Sequence, residues 1–297
     1  MLKIQFLNGG LANQVFQYIF ARSYELSHPN EKMFLDDSYF AVNTVHNGYE
    51  LEKVFGIRPH MLSELFDEDV WQYILTEREK GKSIPQLLKD NGSDIVLVSE
   101  MKDIYRTFNP FDGEILILKE KENMPEVLDM QGNVYYHGYW ICREWFDRNK
   151  DVFLRELTFP KISDDKNKRL IHDIAVKPSL AIHVRRGDYV GLKIAYEAQN
   201  YKELIDVWTN GLGTDWNLYV FSDDINWCKA NSKEMGFEIF KSVCYVEGNT
   251  AGKNYIDMQL MSQCKGMIIS NSAFSFLAAL LNTNKLACLG PDFRNAM

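Results

Sequence analysis

The chain has 297 residues, with 33 Lys and Arg against 41 Asp and Glu, a formal net charge of −8. At 46% hydrophobic and 25% charged residues it lies in the globular range, which excludes disordered and collagen-like chains. A chain of this size lies where one core begins to split, so two domains are expected.

In chain order, Leu2–Leu7 reads as a strand, followed by a Gly9-Gly10 turn and a helix from Ala12 to Leu26, with Val15, Ile19 and Leu26 on one apolar face. Apolar runs at Met33–Leu35, Ile95–Val98 and Val134–Tyr136 read as strands, and helical spacing surrounds Leu62–Leu75 and Glu144–Leu157. The polar segment Pro160–Pro178, with its SDDKNK run, reads as a connection. It places a boundary at residue 165, giving domains 1–165 and 166–297. Beyond it, the short β-rich runs Ser179–Val184, Leu218–Phe221, Val243–Val246 and Gly266–Ile269 are each followed by helical spacing, near Tyr196–Trp208, Ile225–Met235, Tyr255–Cys264 and Ser272–Leu281. Such βα alternation predicts an α/β fold with parallel strands and a ligand at their carboxyl ends.

Charge follows the same division. Residues 1–160 carry 17 basic and 26 acidic side chains, net −9, whereas residues 161–297 carry 16 and 15, net +1. The acidic half is a poor surface for nucleic acid, and the near-neutral half can hold a local Arg cluster for an anionic small ligand.

Several chemistries lack their residues. The nearly apolar stretch Ala273–Leu281 falls short of the ~20 residues that span a bilayer, and Gln5 interrupts the first apolar run before it reaches the ~7 residues of a signal-peptide core. Stable membrane insertion and export are therefore not expected. Cys142, Cys228, Cys244, Cys264 and Cys288 are odd in number and never in a Cys-x-x-Cys pair, and they read as reduced, buried thiols. Gly248 to Asn254 is one residue short of a P-loop and ends in Asn, so the Mg²⁺-binding hydroxyl is missing. Asp67-Glu68-Asp69 matches an Asp-x-Asp metal pattern, but acidic residues also favour the first turn of a helix.

The unusual polar residues cluster where strands end. His183, Arg185, Arg186 and Asp188 follow the first strand of the second half, Ser222, Asp223 and Asp224 the next, Glu247–Asn249 the third, and Ser270, Asn271 and Ser272 the fourth. Two Arg, several carboxylates and small hydroxyl or amide groups suit a phosphorylated, sugar-like or nucleotide ligand. A guanidinium offers paired planar donors to phosphate, and a helix beginning at Ser272 would add backbone N–H groups. Gly9 and Gly10 lack dinucleotide-fingerprint spacing, but they precede Asn13 and Gln14, two amides on the first helical turn able to reach a ligand.

These residues resemble the α-1,2-fucosyltransferases of glycosyltransferase family 11. His183-Val-Arg185-Arg186-Gly-Asp188 is similar to that family's H-x-R-R-x-D motif, and the block from Gly9 to Tyr18 resembles its G-G-L-G-N-Q-x-F-Q-Y. Phe221-Ser222-Asp223-Asp224 resembles F-S-D-D, and Asp257-Met258 and Ser270 to Ser275 resemble the late D-M-x-L-M-S and S-N-S-S-F-S stretches. Ala12 stands where the family usually has Gly, Ala273 where it has Ser, and Phe276-Leu277 where many members have Trp-Trp.

The resemblance implies a GT-B-like fold, two Rossmann-like domains facing across a cleft. GDP-fucose would be held mainly by the C-terminal domain and a galactose-terminated oligosaccharide mainly by the N-terminal one. It further implies an inverting transfer to the 2-hydroxyl of galactose without metal or cofactor, with Arg185 on the β-phosphate. Asp188 is the first candidate base, and Asp36, Asp37 and a water-mediated route remain alternatives. Arg186 is expected to support the fold or pair with Asp188. Asp223 and Asp257 would accept hydrogen bonds from ribose or guanine, and Ser272, Phe274 and Ser275 would bind phosphate and pack beside the nucleotide. Asn271 and Ser222 complete the donor side, and His183 would act chiefly through its backbone. The work of such a chain is expected inside the cell, at most peripheral to the inner membrane face. Two other readings stay open: a metal-dependent transferase using Asp67 and Asp69, and a non-catalytic glycan- or nucleotide-binding module.

Overall fold

The computed structural model describes residues 1–43, 47–100, 111–118, 126–250 and 252–291. It divides into two compact units, Met1–Glu156 and Leu157–Met297, so the division falls ahead of the boundary expected at residue 165. The reason is local. The polar stretch that reads as a linker opens a helix, Asp165–Val176, whose N-cap Asp164 accepts a hydrogen bond from Asn167 N at 2.9 Å.

The first unit is built on a five-stranded parallel sheet: β1 Lys3–Phe6, β2 Met33–Asp36, β3 Ile95–Ser99, β4 Ile115–Ile117 and β5 Asn133–His137, in the order β2-β1-β5-β3-β4. All four residues of β1 are buried, as expected of a central parallel strand covered on both faces, so the sequence shows an apolar run rather than alternation. Gly9 turns the chain from β1 into helix Leu11–Ser27 with φ of +79°, a region that disfavours side chains, and a Cβ there would lie 2.6 Å from Asn13 Nδ2. Ile4, Phe6, Leu97 and Tyr135 form the core with Ile74, Ile84 and Leu87 from the covering helices. The helix expected around Leu62–Leu75 is a short 3₁₀ turn, Leu62–Leu65, and then a helix Glu68–Glu79. That expected over Glu144–Leu157 is two helices, Arg143–Arg148 and Lys150–Glu156.

The second unit has β6 Ser179–Val184, β7 Asn217–Ser222, β8 Ser242–Tyr245, β9 Gly266–Ile268 and β10 Ala287–Leu289, all parallel, in the order β10-β9-β6-β7-β8. Helices Ala198–Leu212, Ile225–Ala230, Tyr255–Met261 and Ala273–Leu281 fill the crossovers. Leu180, Ile182, Val184, Leu218 and Val220 pack against Tyr201, Ile205 and Trp208 of the first crossover helix. Gly266 is required by that packing, because a Cβ would stand 2.3 Å from Trp208 Cη2. Strand order reverses between β6 and β9, and at such a point the flanking crossovers diverge and leave a crevice beyond the carboxyl ends.

No described helix is long and apolar enough to cross a membrane. Cys228 and Cys264 are buried as expected, whereas Cys142, Cys244 and Cys288 are only half-buried.

Candidate active site

The reversal point is where β6 delivers His183, Arg185 and Arg186. Arg185 is held by two carboxylates: its NH2 donates to Asp188 Oδ1 at 2.6 Å, and its NH1 lies 2.9 Å from Asp223 Oδ2 at the end of β7. Its guanidinium also lies over the Tyr189 ring, 5.2 Å from the centroid, and its buried Nε has no hydrogen-bond partner among the described residues. A guanidinium has five N–H donors, so this side chain keeps donors for an anion while its orientation is fixed.

Arg186 points elsewhere. It is 9% exposed, stacks on Trp227 at 4.0 Å, and bonds Tyr196 O and Glu197 Oε2, each at 3.2 Å. The expected pairing of Arg186 with Asp188 is therefore corrected: the partner of Asp188 is Arg185. Arg185, just ahead of the N-cap Arg186, and Asp188, in the first turn of helix Gly187–Gly191, lie three residues apart and their side chains meet.

The β9 side of the crevice is Ser270, Asn271, Ser272 and Phe274. The His183 ring bonds Ser270 Oγ through Nδ1 at 2.8 Å and stacks on Phe274 with centroids 5.6 Å apart. Burial, helped by the nearby Arg185 charge, pushes the imidazole down to about 3, so it is neutral at working pH. Its ring joins two strand ends, so the ring as well as the backbone, expected to matter more, serves this edge. Asn271 Nδ2 donates to Ile194 O at 2.7 Å, while its buried Oδ1 has no partner among the described residues. Ser272 caps helix Ala273–Leu281, with Oγ accepting from Phe274 N at 3.3 Å. Ser275 is fully buried and donates to Ser270 O and Ser272 O, so it shapes the turn and is corrected as a ligand contact.

Other expected contacts serve the protein itself. Ser222 Oγ accepts from Asp224 N at 2.9 Å and closes a turn. Asp223 accepts from Arg186 N at 2.8 Å as well as from Arg185, so each of its oxygens has a protein partner and it helps to orient Arg185. Asp257 lies beyond β8, where its Oδ1 accepts from Asn249 Nδ2 at 2.7 Å; burial raises its carboxyl to about 7. Asn249 in turn exchanges hydrogen bonds with Asn167 of helix Asp165–Val176.

In the first unit, Gly9, Gly10 and Asn13 lie at the carboxyl edge of β1, and Asn13 is half-buried with no side-chain hydrogen bond among the described residues. Gln14 is corrected: it is fully buried, donates to Gly9 O and Gly48 O at 2.9 Å each, and accepts from Glu50 N. Of the alternative bases, Asp36 is fully buried against Tyr135 OH, and Asp37 accepts from Ser63 Oγ at 2.6 Å with its carboxyl raised by burial. Asp67 is the N-cap of helix Glu68–Glu79 and Asp69 lies in its first turn, both exposed; no group of three metal-ligating side chains occurs among the described residues.

Tyr189, Gly187 and Glu197 escape sequence reading. Their roles depend on contacts across a turn, and only their nearness to Asp188 hints at them. The same holds at the carboxyl edge of β3 and β5. There Ser99 Oγ bonds His137 Nδ1 at 3.1 Å, and Glu100 Oε1 accepts from Trp140 N at 2.9 Å and from Tyr139 N.

Each unit is thus a parallel α/β sheet covered by helices, and the second carries Arg185 at its strand-order reversal. The profile of glycosyl transferase family 11 matches residues 121–292. An α-1,2-colitosyltransferase of Escherichia coli is 30% identical over 295 residues, covering 94% of this chain and 87% of that protein. The O-antigen biosynthesis glycosyltransferase WbnK of Escherichia coli is 26% identical over 301 residues, covering 93% and 89%. Among solved structures, fucosyltransferase NodZ from Bradyrhizobium superposes with a TM-score of 0.52 at 12% identity, over 95% of this chain and 93% of that one. The chain belongs to glycosyltransferase family 11.

Proposed function

We propose that the protein transfers L-fucose from GDP-fucose to the 2-hydroxyl of a terminal galactose in an oligosaccharide, with inversion and without a metal. The observation that carries this is Arg185, braced by two carboxylates at the reversal point of the second sheet with donors left over for a diphosphate. Further support comes from NodZ, an α-1,6-fucosyltransferase whose structure soaked with GDP-fucose superposes on this chain with a TM-score of 0.50 at 14% identity, covering 95% of this chain and 93% of that one.

In this reading the acceptor oxygen bonds to fucose C1 while the bond from C1 to the β-phosphate oxygen breaks, its electron pair leaving with GDP. Asp188 is the candidate to take the acceptor proton. The Arg185 guanidinium faces the charge growing on the leaving phosphate, and such a preorganised donor contributes ~3–4 kcal/mol. The second unit holds GDP-fucose and the first holds the galactoside.

Incubation with GDP-fucose and a galactose-ending oligosaccharide should yield a product heavier by one deoxyhexose, with turnover undiminished in excess EDTA. Arg185→Ala should lose roughly 10²–10³ in rate without loss of fold. Arg185→Lys should also be impaired, because the fork geometry is lost with the charge retained. Near-normal transfer by Arg185→Ala, or loss of turnover on chelation and its return with Mn²⁺, would overturn the scheme.

A second donor deserves a parallel assay, since the 30%-identical relative is named for colitosyl transfer. Ala12, Ala273 and Phe276-Leu277 depart from the fucosyltransferase pattern on the helices that follow β1 and β9. A colitosyl product in preference to a fucosyl one would keep the mechanism and change the donor.

A further inference from the structure

The two carboxylates on Arg185 are not equivalent. Asp223 is anchored at both oxygens, by Arg185 NH1 at 2.9 Å and Arg186 N at 2.8 Å, and its side chain is 27% exposed. It is also fitted against backbone: a Cβ on Gly187 would stand 2.5 Å from Asp223 Oδ2. Asp188 is 55% exposed, and its bond to Arg185 is its one side-chain hydrogen bond among the described residues.

We propose that Asp188 is an exchangeable counter-ion of Arg185, displaced when the donor's diphosphate binds, whereas Asp223 is the fixed carboxylate that aims the guanidinium. This rests on the reading of the crevice as a GDP-sugar site.

The geometry favours such an exchange. Two carboxylates engage Arg185 NH1 and NH2, so a diphosphate must compete with one of them for those N–H donors. An exposed ion pair is worth little, and a phosphate oxygen forms a charge-assisted bond at least as strong as the one it replaces. Asp223 cannot yield without leaving the Arg186 amide unpaired. Asp188 can turn away into solvent.

The backbone around it need not move. Val190 N bonds Arg186 O at 3.0 Å, Leu192 N bonds Asp188 O at 3.1 Å, and Asn271 Nδ2 pins Ile194 O at 2.7 Å. The exchange is therefore a rotation of one side chain, and it frees the Asp188 carboxylate from Arg185 only once donor is in place. Asp223 is a positioning residue in this scheme, and Asp188 becomes free to accept a proton only in the donor complex.

The test is a calorimetric titration of GDP, and separately of inorganic diphosphate, into the full chain and its Asp188→Asn and Asp223→Asn variants. Exchange predicts that Asp188→Asn binds GDP about two- to fivefold more tightly than wild type, since an exposed competitor has been removed. Asp223→Asn should bind about tenfold more weakly or worse, since the aim of Arg185 is lost. If Asp188 merely held Arg185 in place, its Asn variant would weaken GDP binding as Asp223→Asn does; that result, or an unchanged affinity, overturns the exchange. Wild type that binds GDP separates such a failure from failure of the site reading, which would show as no GDP binding by any form. Thermal melting of the variants controls for folding, and Asp188, being exposed, should leave it unchanged.

Discussion

At Gly187 the absence of one carbon sets the position of a charge. An Ala there would place its Cβ where Asp223 Oδ2 now meets Arg185, so the carboxylate must shift. Gly187→Ala is expected to weaken GDP binding about tenfold, the scale of one charge-assisted hydrogen bond, with little change in melting temperature because the residue is exposed. Titration calorimetry beside thermal melting checks both halves of that expectation. Residues of this kind also show how far a sequence can be read. The pair Arg185 and Asp188 was visible as chemistry, because two unlike charges follow a buried strand, but their mutual contact was not. Whether Arg185 or Arg186 meets Asp188 depends on which side chain the strand turns inward, and Trp227, distant in sequence, draws Arg186 under cover. Gln14 was misleading for a similar reason: its neighbours in space, Gly48 and Glu50, lie beyond the helix that carries it.

Among elements, the central strands were the most legible. β1 and β6 are covered on both faces, so the need to exclude water from parallel strands writes itself as an unbroken apolar run. The edge strands β4 and β10 have three residues each and are only partly buried, and nothing in such short runs distinguishes them from loop. Helix Asp165–Val176 was hidden by its composition. It buries only Asn167 and Ile174, so its apolar stripe is too narrow to outweigh the charged residues around it. Its start is nevertheless encoded in Asp164, whose carboxyl is held below its ordinary range by the Asn167 backbone and side-chain amides. Asp164→Ala should lower the melting temperature at neutral pH by ~2–4 °C, as loss of a cap does in a chain of this size. Because the folded carboxyl titrates below the unfolded one, the difference should be full above about pH 4 and close as the pH falls through the folded value.

Over the whole molecule, the net charges of −9 and +1 fall on the two units themselves, since residues 157–160 carry no charge. Electrostatic partition was thus readable even where the boundary was misplaced. Titration of the buried groups was not, because it depends on burial. Asp257 and Glu100 are each raised to about 7 by desolvation, so the folded chain holds protons that the unfolded chain releases near ~4, and their contribution to stability falls as pH rises towards 7. Asp257→Asn, which keeps an acceptor for Asn249, should therefore gain in melting temperature relative to wild type between pH 5.5 and pH 8. A difference that stays flat across that interval would show that the carboxyl is not raised.

Each sheet is riveted at its carboxyl edge by an imidazole that a serine on an adjoining strand or its end grips through Nδ1, His137 by Ser99 and His183 by Ser270. Both rings are pressed below the ~6.5 of a free histidine, to about 4 and about 3, so acidification protonates the unfolded chain first and drains stability from below that point. The fastener in the N-terminal unit accepts its proton at the milder acidity. Gradual souring of the solution should therefore loosen that unit's strand ends while the Arg185 crevice still keeps its shape, and its amide protons should exchange with solvent before those around His183.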